Sequence, residues 1–124
     1  MKFLVFSTFI ASLTVQAEMG SLVFKKDSKV PSTLQEKIVS EVQTNCPRIN
    51  IYSLREVNSV ERIDKVDQGV IDYFYSSTFT AQYYFDGTHP ITTYISVESQ
   101  ILAGYNPNGP EEVRLITNHD GACY

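Results

Sequence analysis

The 124-residue sequence predicts an α+β domain, one N-terminal helix packed on a four- to five-stranded antiparallel sheet. Three observations carry that expectation. An amphipathic segment begins after Pro31 and stops before Pro47; a long run of period-two alternation starts at Ile71; and a second such run follows the turn residues Asp86-Gly87. A helix has an apolar stripe and a half-wet sheet an apolar face, so laying one on the other buries both.

The chain starts with an expected leader. Met1-Lys2 carries one positive charge, Phe3 to Val15 is apolar apart from small hydroxyls, and Val15-Gln16-Ala17 ends in residues a signal peptidase reads. Such an order of charge, apolar core and small-residue exit is that of a secretory signal. The apolar stretch would cover about 20 Å as a helix, short of the ~30 Å hydrocarbon layer, so a membrane anchor is the poorer reading. Residues 1–17 are therefore expected to be removed, leaving 18–124 as a single domain that is exported, periplasmic or secreted.

The remaining 107 residues hold 9 basic and 14 acidic side chains, and only Glu111-Glu112 are adjacent acids. An acidic, unclustered surface argues against nucleic acid and anionic membrane as partners.

The elements follow in order. Ser21 to Phe24 is a short apolar run, expected to be a first strand. Ser32-Thr33-Leu34-Gln35 has the form of a capping box, and Leu34, Ile38, Val39, Val42 and Cys46 behind it share one helical face, giving a helix over about Thr33 to Asn45. Pro47 stops it, since the residue before a proline is pushed out of the helical region. Ile49 to Val57 alternates loosely. Val57 to Val66 has apolar residues every third position and suits either a bulged strand or a helical turn; we read it as strand.

From Ile71 to Phe85 the odd positions (Tyr73, Tyr75, Phe79, Ala81, Tyr83) are mostly apolar and the even ones mostly polar, so one face is core and the other wet. The run exceeds the usual strand length of about ten residues, which implies a bend near Ser76-Ser77. Ile91 to Ile101 repeats the alternation, and Val113 to Thr117 forms a last strand after the loop Gly104 to Pro110. Antiparallel neighbours must present the same face together, so paired residue numbers sum to an even value. Two registers satisfy this. One pairs Phe85 with Ile91, Ala81 with Ile95 and Phe79 with Val97; the other pairs Tyr83 with Ile91. Either way Phe79, Ala81, Tyr83, Ile95 and Val97 should pack beneath Leu34, Ile38 and Val42.

The resulting order, β-α-β-β-β-β, resembles the cystatin-type architecture. The resemblance is topological. The glutamine-valine-glycine hairpin motif of those inhibitors is absent, Asp67-Gln68-Gly69-Val70 standing in the corresponding loop, and the chain has no tryptophan for their second loop. No inhibitory residues are carried over.

Little in the sequence suggests catalysis. His89 follows Asp86-Gly87-Thr88 and His119 precedes Asp120, yet neither belongs to a close ligand pair, and no metal or other cofactor is expected. There is no Gly-x-Ser-x-Gly elbow and no glycine-rich phosphate loop. Asp72 and Glu98 share the predicted wet face, which looks open and not like the cleft a carboxylate pair needs.

The tyrosines are more informative. Tyr84 and Tyr94 are expected on the wet face with Phe74, Thr80, Gln82 and Ser96. They lie one or two rungs apart in either register, so their rings could form one patch. Tyrosine joins apolar area to a polar tip and favours interfaces, so this face could hold a protein or glycan partner. The sequence therefore points first to an exported, non-enzymatic binding or interaction domain, such as an inhibitor or accessory subunit. A structural component of an envelope assembly, or a small hydrolytic enzyme using His89 or His119, are the other readings.

Cys46 and Cys123 are the only cysteines, an even count that reads as one disulfide in an exported chain. Such a bridge would close nearly the whole domain, contributing about 4–5 kcal/mol on the chain-entropy model. Thiol titration of the denatured, unreduced protein is expected to find no free cysteine. Two free thiols would refute the pairing.

Overall fold

A computed structural model describes residues 22–66, 70–84, 86–102 and 111–123. The expected leader, residues 67–69, Phe85 and the expected loop Gly104 to Pro110 lie outside the described residues. The helix α1 spans Ser32–Asn45 and is followed by four strands, β1 Ile49–Val66, β2 Val70–Tyr84, β3 Pro90–Leu102 and β4 Glu111–Asn118. They form one antiparallel sheet in the order β1-β2-β3-β4. Among the described residues no helix is long and apolar enough to cross a membrane.

The helix precedes all four strands, so among the described residues the first strand of the expected cystatin-like order is not found. Residues 22 and 23 instead make a short helical turn. The reason lies in what this segment buries. Val23 and Phe24 are both buried, which consecutive strand residues pointing to opposite faces of a one-sided sheet could not achieve. The Phe24 ring meets Phe79 edge-to-face, with centroids 5.4 Å apart. The segment is a plug in the core, not a strand.

The start of α1 also departs from expectation. Pro31 is the N-cap, in an extended conformation, and no side chain caps the helix, so Ser32 does not form the capping box. Gln35 still turns back: its Nε2 donates to the Val30 carbonyl at 2.8 Å, tying the entry loop to the first turn. At the other end the helix stops at Asn45, as Pro47 requires. The Cys46 backbone N–H closes the last turn on the Val42 carbonyl.

The apolar stripe of α1 (Leu34, Ile38, Val39 and Val42) is buried against the sheet. Beneath it Phe79, Ala81 and Tyr83 of β2 and Ile95 and Val97 of β3 are all buried, as the alternation predicts. Of the two allowed registers the structure has the one pairing Tyr83 with Ile91, which sets Phe79 opposite Ile95 and Ala81 opposite Thr93. β2 runs unbroken from Val70 to Tyr84. The turn into β3 uses Gly87 at φ 82°, a left-handed conformation that disfavours any side chain.

β1 is a single strand through the ambiguous stretch, interrupted by register shifts between Asn50 and Arg55 and between Glu56 and Asn58. Each shift inserts unpaired residues and changes which positions face the core. Ile49, Leu54 and Glu56 are buried, whereas from Asn58 onward the odd positions share the core face with Ser77, Tyr75 and Tyr73.

Two interactions fasten the chain's end. Cys46 and Cys123 are disulfide-bonded, joining the end of α1 to the tail. Asn118 organises the turn before it. Its Oδ1 accepts from the backbone N–H groups of Asp120 and Ala122, and its Nδ2 donates to Thr93 Oγ1 and the Tyr94 carbonyl. Thr93, fully buried, donates its hydroxyl to Asp120.

Phe79 has no exposed surface and lies at the centre of this packing. Phe79→Ala is expected to lower stability by about 3–5 kcal/mol, read as a fall in the denaturant midpoint. An unchanged midpoint would mean the faces are assigned wrongly.

Candidate functional site

The face of the sheet opposite α1 is built by the even residues of β2 and β3. Register sets its rows: Arg55, Thr80 and Tyr94; Asn58, Thr78, Ser96 and Thr117; Val60, Ser76, Glu98 and Leu115; Arg62, Phe74, Gln100 and Glu112. The six sequence-predicted residues, Tyr84, Tyr94, Phe74, Thr80, Gln82 and Ser96, all fall on this face.

They are not all neighbours. Tyr84 pairs with Pro90 and Tyr94 with Thr80, so the two tyrosines are two same-face steps apart, about 14 Å along the strand. Between them sit Gln82 and Thr92, joined by a hydrogen bond from Gln82 Nε2 to Thr92 Oγ1 at 3.3 Å. The patch is thus two aromatic flanks about a polar pair. Tyr84, Gln82, Thr80, Tyr94 and Ser96 occupy one end of the face, with Tyr84 40 % and Tyr94 59 % exposed. Phe74 is at the other end, roofed by the Arg62 guanidinium 4.4 Å above its ring.

That other end is also less wet than the alternation implies, for Asp72 and Gln100 are buried on it. Asp72 therefore does not share an open surface with the exposed Glu98.

The aromatic end is held firmly from behind. The Tyr84 backbone N–H donates to the Arg48 carbonyl at 3.4 Å. Ser53, in the first register shift of β1, accepts the Gln82 N–H on its Oγ at 2.7 Å. The adjoining turn is organised by Asp86, whose Oδ1 accepts the backbone N–H groups of Thr88 and His89 at 3.0 and 2.8 Å. Those bonds, the one from His89 first, hold the Asp86 carboxyl well below the usual range.

His89 Nδ1 lies 3.2 Å from Asp86 Oδ2 and 2.8 Å from Thr88 Oγ1, so one ring nitrogen serves both neighbours within an exposed turn. This orients the turn without aligning a hydroxyl, a base and an acid in series. His119 follows the Asn118–Ile95 pair, placing it at the same end of the sheet as His89 but about 17 Å further along β3. The histidines do not share a site. Among the described residues no group of three or more His, Cys, Asp or Glu side chains is placed to hold a metal.

An open groove of about 450 Å³ runs between α1 and β4, lined by Lys37, Ser40, Glu41, Glu111, Glu112 and Val113. Lys37 Nζ spans it to the Glu111 carbonyl at 2.8 Å. None of these lining residues is a histidine or a cysteine.

Sequence patterning missed Glu56. It is buried on the core side of β1, where Ser28 Oγ donates to Oε2 at 2.8 Å and the Lys25 backbone N–H to Oε1 at 3.3 Å. No spacing rule marks it, because it lies between two register shifts. No protein-family model, curated protein or solved structure matches the chain.

Burial raises the Glu56 pKa above its ordinary value of 4.5, against the lowering effect of Ser28 and Lys25. A raised folded-state pKa means the folded protein favours the protonated form. Its stabilising effect is complete below the unfolded value and is lost as pH rises through the folded one. Wild-type stability should therefore fall relative to Glu56→Gln as pH rises above the ordinary value of 4.5. Melting temperatures measured in parallel should diverge with that sign; parallel curves would place the carboxyl in water.

Proposed function

We propose that this is an exported, non-enzymatic binding domain that holds a protein partner across the aromatic end of the outer sheet face. The observation that carries the reading is the exposure of Tyr84 and Tyr94 on a rigid sheet, flanking a polar Gln82–Thr92 pair. Tyrosines fixed by strand backbone present apolar area and a hydroxyl at low entropic cost, as interface anchors do. Thr80 and Ser96 beside Tyr94 supply hydroxyls for further hydrogen bonds. Among the described residues the buried apolar core lies on the side of α1, so the aromatic end of the outer face is not part of it.

Two further features support export and binding over catalysis. The Cys46–Cys123 disulfide is compatible with an oxidising compartment. The candidate acid–base groups His89 and His119 are exposed and separated.

Replacing Tyr84 and Tyr94 together by serine tests the reading. Exposed aromatics cost about half a kcal/mol of stability or less, whereas interface anchors often cost about 2 kcal/mol of binding or more. The double variant should melt like the wild type and lose a partner that wild-type protein co-purifies from the exported fraction of its native host. Retention of the same partner by the folded variant would refute the proposal.

A further inference from the structure

β1 is an edge of the sheet, and among the described residues its outer side is guarded for only part of its length. From Glu56 to Ser59 the segment before α1 is fastened to it. Lys25 Nζ donates to the Val57 carbonyl at 3.3 Å and the Lys29 backbone N–H to Ser59 Oγ at 2.8 Å. Beyond Ser59 the strand continues to Val66 with no described strand beside it. Two apolar residues stand out there, Val60 at 59 % and Ile63 at 50 % exposed. A long unpaired edge with exposed apolar side chains is a template for another strand.

The order of charges in this stretch, Val60-Glu61-Arg62-Ile63-Asp64-Lys65, selects the strand that fits. Set antiparallel to a second copy of itself about a two-fold axis at Ile63, Glu61 faces Lys65 of the second copy and Arg62 faces Asp64. Symmetry repeats both pairs, so four opposite-charge pairs form around two facing isoleucines. Two-fold pairing within one continuous sheet places a residue opposite itself at the axis. Centring on Glu61, Arg62, Asp64 or Lys65 would therefore oppose two like charges. Within residues 61–65 only Ile63 puts an apolar side chain there.

Charged edges ordinarily keep copies apart through like-charge repulsion. This edge has the reverse arrangement. Its charges are also presented and positioned: Lys65 is exposed, Glu61 accepts a hydrogen bond from the Tyr75 hydroxyl, and Arg62 lies over Phe74 and 3.3 Å from Asp64.

We propose that the protein forms a two-fold symmetric dimer by antiparallel pairing of residues 60–66 of β1 with the same residues of a second copy. The product is one eight-stranded sheet with both helices on one face and the two tyrosine-bearing surfaces on the other. The inference stands apart from the binding reading above, since it uses the edge of β1 and not the outer face.

Sedimentation velocity across a concentration series, with melting curves as a folding check, tests it. The purified wild-type protein should sediment as a dimer. Lys65→Glu sets two acids opposite each other and Glu61→Lys two bases, so each variant alone should dissociate, weakening association about tenfold or more. Mixed in equal amounts they should form a heterodimer, because every facing pair is again of opposite charge. Should Glu61→Lys melt early through loss of its bond to Tyr75, Arg62→Glu mixed with Asp64→Lys poses the same question. A monomer at every concentration would overturn the proposal, as would dimers of unchanged affinity in the single variants, which would place the interface at β4 or the outer face. Failure of the folded variants to associate on mixing would overturn it too.

Discussion

Burial of a single face of β2 and β3 beneath α1 is the constraint on which the rest of the structure depends. Phe79, Tyr83, Ile95 and Val97 meet Leu34, Ile38 and Val42 there, and all seven are almost wholly shielded from water. The strands must keep matching faces, which limits the hairpin to even-sum registers and fixes Tyr83 opposite Ile91. The outer face is then left to residues that the core does not need. Its freedom to carry Tyr84, Thr80 and Tyr94 follows from the burial on the other side.

β1 adapts to that core instead of defining it. The sheet partner β2 is regular, so the extra residues of β1 are absorbed in two shifts, at Asn50–Arg55 and Glu56–Asn58. The first turns Leu54 inward and lets Ser53 brace Gln82 behind the candidate binding surface. The second leaves Glu56 buried as an acceptor for the plug segment at Lys25 and Ser28. Past these shifts β1 extends beyond the protection of that segment, so the same adaptation that supports one surface exposes the other.

The chain's last turn shows a comparable division. Asn118 and Thr93 bind the turn at Asp120 and Ala122 through hydrogen bonds, and the disulfide then joins the tail to the end of α1. The bridge restricts the unfolded chain, while the Asn118 network sets the local path. Two serines on the core face, Ser77 and Ser99, are buried with no hydrogen-bond partner for their hydroxyls among the described residues. They are a cost within the core that alanine would not carry.

The sequence by itself determined the helix, the strands from Ile71 onward, their faces and the cysteine pair, because period, proline stops and thiol count are local or compositional signals. It also placed Tyr84, Tyr94, Thr80, Gln82 and Ser96 on one face, since alternation alone assigns a side. Only the tertiary structure decided which of them are neighbours, for that depends on register, and two registers preserved the same faces. It likewise turned Val23 and Phe24 into a core plug where an apolar run read as a strand, because their partner Phe79 lies far away in sequence. It buried Glu56 and Asp72 against their polar character. β1 resisted sequence reading for one physical reason: each register shift resets the phase by which alternation is recognised.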